Sequence, residues 1–147
     1  MNHSPLDACL ALLALWVLIG LAGLLRPGSL RYVARTLFPL GALCGLALAL
    51  VALASLAAPI ERAVLIVGLP DLPMHLRRDA LSSLFLFLLG AAAAGISVFA
   101  AGYFRKGHGT SAGLLCLQYH LFLASMGFVV LADDAYAFMV AWETMAL

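Results

Sequence analysis

The sequence is poor in charge. Only 10% of its 147 residues are charged, while 65% are hydrophobic and the mean hydropathy is +1.11. A soluble domain is about a quarter charged and roughly half apolar. A chain with so little polar surface cannot cover itself in water, which excludes a soluble enzyme domain and points to lipid as the solvent. A net charge of +1 provides no basic excess for nucleic acid and no acidic tail. Cysteine is scarce and scattered: Cys9, Cys44 and Cys116 stand singly in apolar runs, without a CxxC pair, and read as small buried apolar residues. Lys and Arg are missing from the first seven residues, so the first apolar run lacks the positive n-region of a secretory signal and is too long for its h-region. No Gly-rich dinucleotide motif, phosphate loop, nucleophile triad or HExxH motif occurs, so no cofactor and no metal are expected.

What is present is a series of long apolar runs, read as an all-α integral membrane protein. The first span is Leu6 to Leu25, twenty residues that stop at Arg26, Pro27 and Gly28. Twenty residues at about 1.5 Å each make roughly 30 Å, the thickness of a hydrocarbon core. The second span is Leu37 to Ala58, before Pro59, with Gly41 and Gly45 at a GxxxG spacing that lets a partner helix come close. Residues 59–78 are broken by Pro59, Pro70 and Pro73 around a β-branched run, Val64 to Val67, and predict a short extended or hairpin segment outside the bilayer. The third span is Asp79 to Phe104, with a small-residue face that includes Ser82, Ser83, Gly90, Gly95 and Ser97. Tyr103 and Phe104 mark its interface, and Arg105 and Lys106 anchor its end. The fourth span is Ala112 to Ala132. An acidic turn, Asp133–Asp134, leads into a fifth run from Ala135 to Leu147, whose 13 residues are too few to cross. The expectation is four transmembrane helices plus an incomplete fifth in an N-terminal piece of a longer protein or a truncated product. Residues 1–132 would be the helical lead-in and 133–147 the start of a functional core.

Topology follows from the Lys/Arg bias. Arg26, Arg31, Arg35, Arg105 and Lys106 fall on one side, and Arg62, Arg77 and Arg78 on the other, together with Glu61, Asp71 and the acidic turn. The basic loops are expected in the cytoplasm and the N-terminus outside.

Glu143 is the candidate of greatest interest. It sits nine residues past the acidic turn, roughly 13 Å into the bilayer. A carboxylate there is costly and marks a functional site by default, with a proton-relay role as the sharp reading and a structural hydrogen bond as the bland one. His120, on the antiparallel fourth helix, falls at a depth about one turn from Glu143, so it is either a proton-relay neighbour or a packing residue. Asp133, Asp134 and Asp79 read as helix caps and Asp7 as an interfacial residue. Tyr119, Tyr136 and Trp142 read as core or interface aromatics that could also line a pathway.

Several stretches carry a family resemblance: Arg78-Asp79-Ala80-Leu81-Ser82-Ser83-Leu84-Phe85, then Tyr119-His120-Leu121-Phe122-Leu123-Ala124-Ser125-Met126, the turn Asp133-Asp134, and Trp142-Glu143-Thr144-Met145-Ala146-Leu147. Together they resemble the first five helices of the antiporter-like membrane subunits. These are the proton-translocating subunits of respiratory complex I, of multisubunit Na+/H+ antiporters, and of hydrogenase-4 and formate hydrogenlyase; the hydrogenase-4 branch looks nearest. The resemblance implies about fourteen helices in the complete protein, with inverted five-helix repeats. It implies that Glu143 is the key glutamate of the family's Trp-Glu pair, working with a lysine two helices later. It also implies a non-redox, ion-translocating subunit in a bacterial cytoplasmic membrane, with other membrane subunits of a redox or antiporter complex as partners. A structural or assembly-related membrane protein without transport of its own is the competing expectation.

Overall fold

The computed structural model describes residues 4–69, 71–103 and 111–146. Five helices and one two-stranded sheet follow in chain order: α1 (Pro5–Gly23), α2 (Leu30–Ala54), β1 (Glu61–Leu69), β2 (Leu72–Arg78), α3 (Ala80–Tyr103), α4 (Ala112–Leu131) and α5 (Ala135–Met145). The first four helices are each long and apolar enough to cross a membrane. The architecture is therefore mostly helical, and the expected all-α class is corrected by a hairpin that forms a true antiparallel sheet. Its register runs from Glu61 opposite Arg78 to Leu65 opposite Met74, with an irregularity before Leu69 meets Leu72.

Each helix starts where the sequence offers a side-chain acceptor for a free backbone N–H. Ser4 and Asp7 form a reciprocal capping box on α1, with Pro5 in the first turn, where its missing N–H costs nothing. Ser29 caps α2, Ser111 caps α4, and Asp134 caps α5. Asp79 takes the N–H and the hydroxyl of Ser82 at the head of α3.

The second helix departs most from expectation. It begins at Leu30 rather than Leu37, so Arg31 and Arg35 ride on the helix instead of in a loop. Pro39 would ordinarily break such a helix by clashing with the carbonyl four residues back. A π-helical turn over Val33–Leu37, closed by the Phe38 N–H on the Val33 carbonyl, widens the helix just ahead of the proline and lets it continue. The helix ends at Ala54 rather than Ala58, because the Ser55 and Pro59 carbonyls are turned toward an arginine. Elsewhere the bounds differ by one or two residues. Phe104, Arg105, Lys106 and Leu147 lie outside the described residues.

The helices pack in antiparallel pairs, α2 on α3 and α1 on α4, with α1 also against α2 and α5 on the outside of α4. Trp16, Leu13, Phe38, Leu48 and Leu86 form the sealed interior. Leu18, Leu25, Leu43, Leu81, Val98 and Phe99 point outward and are well exposed. Apolar side chains inside and out suit a group of helices in hydrocarbon, where the exterior need not be polar.

Candidate functional site

The two ends of the helix group differ in charge. At the end carrying the hairpin, charges meet in pairs. Arg78, fully buried, donates from Nε to Glu61 Oε2 at 3.2 Å, from Nη1 to the Ser55 carbonyl at 2.9 Å and Ser83 Oγ at 3.0 Å, and from Nη2 to the Pro59 carbonyl at 2.7 Å. Glu61 Oε2 also accepts the Leu6 N–H at 2.7 Å, at the positive end of α1. One ion pair thus joins the start of α1, the end of α2, both strand termini and the start of α3. A guanidinium can do this because its fork presents five donors in fixed directions.

A second cluster docks the hairpin on the head of α5. The Asp133 N–H donates to the His75 carbonyl at 2.9 Å, and the His75 N–H donates to Asp134 Oδ2 at 2.6 Å. The His75 ring stands 3.0 Å from the same oxygen. Arg77 and Arg62 reach Asp133 at 3.2 and 3.7 Å. The N–H of Ala137, then that of His75, holds the Asp134 carboxyl below the usual carboxylate range. The N–H of Ser82, followed by its hydroxyl, does the same for Asp79. Asp134 therefore caps α5 and also binds the hairpin, while Asp133, expected as a cap, binds the hairpin alone.

Within the helix group, His120 is sealed between α1, α2 and α4. Its Nδ1 donates to the Cys116 carbonyl one turn back at 2.8 Å. Its ring lies against Phe38 and Tyr119, with centroids 6.0 and 5.1 Å away. Nε2, the lone-pair nitrogen of a neutral ring so bonded, has no hydrogen-bond partner among the described residues. It faces Gly41, where a Cβ would collide with it. Beside it, Tyr119 Oη shares a hydrogen bond with Ser97 Oγ at 2.9 Å, and Trp16 donates to the Gly41 carbonyl at 3.2 Å.

Glu143 lies elsewhere. It is exposed on α5, and its side chain makes no hydrogen bond or ion pair among the described residues. Ala137 and Ala141 carry the contact of α5 with α4, while Phe138, Met139 and Trp142 face outward beside Glu143. A cavity of about 200 Å³ between α4 and α5 is bordered by Leu121, Ser125, Val140, Ala141 and Thr144, and neither His120 nor Glu143 borders it. The imidazole turns toward α1 and α2, so matching depth on neighbouring helices does not bring the two residues together.

The glycines separate by partner. Gly45 and Gly90 meet at the crossing of α2 and α3: a Cβ on Gly45 would stand 2.9 Å from the Gly90 carbonyl, and one on Gly90 2.6 Å from the Gly45 carbonyl. Gly41 serves α4 through His120 rather than α3. Gly95 has nothing within 4 Å and faces outward. Among the described residues no group of three or more metal-ligating side chains comes together.

Arg78 is the residue that sequence reasoning undervalued, as one more loop cation. A signal existed: Glu61 and Arg78 bound a hairpin whose strands must place its first and last residues side by side.

No family model matches the chain, and no solved structure does. Two uncharacterized proteins of Mycobacterium tuberculosis, from two strains, are each 34% identical to it over 79 residues. That stretch is 54% of this chain and 12% of each relative, so the similarity spans a small part of much longer proteins.

Proposed function

We propose that the chain is the N-terminal part of an antiporter-like, proton-translocating subunit of a membrane-bound hydrogenase or quinone oxidoreductase complex. It sits in a bacterial cytoplasmic membrane with its N-terminus outside, and Glu143 is its protonatable group. The carrying observation is the placement of acids. Of seven in the sequence, Asp7, Glu61, Asp71, Asp79, Asp133 and Asp134 gather at the hairpin end. Glu143 alone lies about 13 Å along an apolar helix from that end, with its side chain unbonded among the described residues and directed away from α1–α4. A carboxylate so placed needs either a proton or a partner on a further helix, and alternation between the two is the chemistry of a proton relay. The similarity to a small part of much longer proteins suits a chain that is one part of a larger protein. His120, bonded within its own pocket, then serves packing rather than transfer.

The test uses inverted membrane vesicles holding the complete protein in its complex. Glu143→Gln keeps the shape and removes the titrating proton. The expected result is loss of substrate-driven acidification with normal amounts of assembled complex. Pumping at the wild-type rate would sink the proposal, and a requirement for sodium would move the chain to the multisubunit Na+/H+ antiporters.

A further inference from the structure

Among the described residues, the end of the helix group opposite the hairpin is cationic and holds no acid. Residues 8–60 and 80–132 contain no Asp or Glu, so the segments joining α1 to α2 and α3 to α4 carry no counter-ion in their sequence. The contrast with the other end is sharp: there Arg62, Arg77 and Arg78 all reach carboxylates. Arg26, Arg31 and Arg35 are exposed and meet no carboxylate among the described residues. Arg26 is held in place, with its guanidinium 5.7 Å from the centroid of the Tyr32 ring. The turn beneath it is fixed by the Gly113 N–H on the Pro27 carbonyl at 3.0 Å. Leu24, Leu25 and Leu40, all exposed, lie beside the arginines in sequence.

We infer that Arg26, Arg31 and Arg35 form a docking surface for anionic phospholipid headgroups. Three exposed cations with exposed leucines near them in sequence match a lipid with a negative headgroup and apolar chains. Arginine suits the role because its fork meets a phosphate with two parallel hydrogen bonds. Placing two of the three on the first turns of α2, which the π turn allows to begin at Leu30, brings them to the bilayer surface as a cluster instead of along a loose loop. The inference rests on the membrane-spanning reading and is independent of the role of Glu143.

The test reconstitutes the full chain in bilayers doped with spin-labelled phosphatidylglycerol or phosphatidylcholine and reads the motionally restricted fraction. Wild type should favour phosphatidylglycerol, and each arginine replaced by glutamine should cost about fivefold in that preference at low salt. Combined Arg26→Gln, Arg31→Gln and Arg35→Gln should abolish it, while Arg62→Gln at the other end should leave it unchanged. If the triple variant does not reconstitute, Arg26→Gln alone decides, since that guanidinium rests on the Tyr32 ring and holds no part of the helix packing. Equal association of both lipids, or a preference that survives the substitutions, overturns the inference. Competition by inorganic phosphate at constant ionic strength also overturns it in favour of a free-anion site. Release of the protein from membranes by alkaline carbonate would instead overturn the membrane reading itself.

Discussion

Arg78 shows how one side chain can decide the geometry of an entire end of the molecule. Its Nε, Nη1 and Nη2 atoms meet acceptors on the hairpin, at the end of α2, in the turn at Pro59 and at the start of α3. The bonds to the Ser55 carbonyl and to Ser83 Oγ are buried, so neither acceptor can turn to water without opening the fold, while those to Glu61 and Pro59 are partly exposed. Removing one partner of a buried pair typically costs about 3–5 kcal/mol, since the other charge stays behind desolvated. Arg78→Ala should therefore lower the unfolding midpoint in mild detergent steeply. Arg78→Lys should recover little, because one ammonium cannot reach carbonyls at Ser55 and Pro59 together with Glu61. A midpoint for Arg78→Ala equal to wild type would show that the clamp carries no stability. Glu143 presents the opposite situation at the same scale: a carboxylate with no bond among the described residues, whose meaning depends on what faces it.

At the scale of elements, the crossing of α2 and α3 depends on two glycines rather than on a small-residue face as a whole. Gly90→Ala puts a methyl group against the backbone at Gly45 and Ala49. Alanine favours a helix over glycine by about 1 kcal/mol, yet overpacking typically costs about 1–3 kcal/mol, so the variant should lose stability. Gly95→Ala, on the open side of the same helix, should be neutral or stabilising. Parallel unfolding of the two variants in detergent checks this, and equal behaviour would remove the close-approach argument. The sequence displayed Gly41, Gly45, Gly90 and Gly95 as equivalent; rotation about each helix axis distinguishes them, and composition holds no information on rotation.

The whole molecule is polarised: paired charges and a hairpin at one end, arginines without carboxylate partners among the described residues at the other. The proposed topology places the hairpin outside. Ile66, 95% exposed in β1, offers a reporter. In intact cells, Ile66→Cys should react with a membrane-impermeant maleimide, while Arg31→Cys should react only after permeabilisation. The native thiols at Cys9, Cys44 and Cys116 are buried and give a low background. The reverse labelling pattern would invert the orientation and place Glu143 about 13 Å from the cytoplasmic surface instead of the outer one.

Length and apolarity of the runs were enough to count four helices long and apolar enough to cross a membrane and to bracket the hairpin, because hydropathy and helix-breaking residues act locally along the chain. The caps at Asp79 and Asp134 were legible for the same reason, each being a contact across three residues. The early start of α2 was hidden by Arg31 and Arg35, which read as loop cations, and the π turn that lets the helix run on into Pro39 leaves no mark in composition. The burial of Arg78, the enclosure of His120 by α1 and α2, and the separation of His120 from Glu143 were decided only by the tertiary structure. Each depends on which face of one helix meets which face of another, and in uniformly apolar helices the sequence carries almost no periodic signal to specify that rotation.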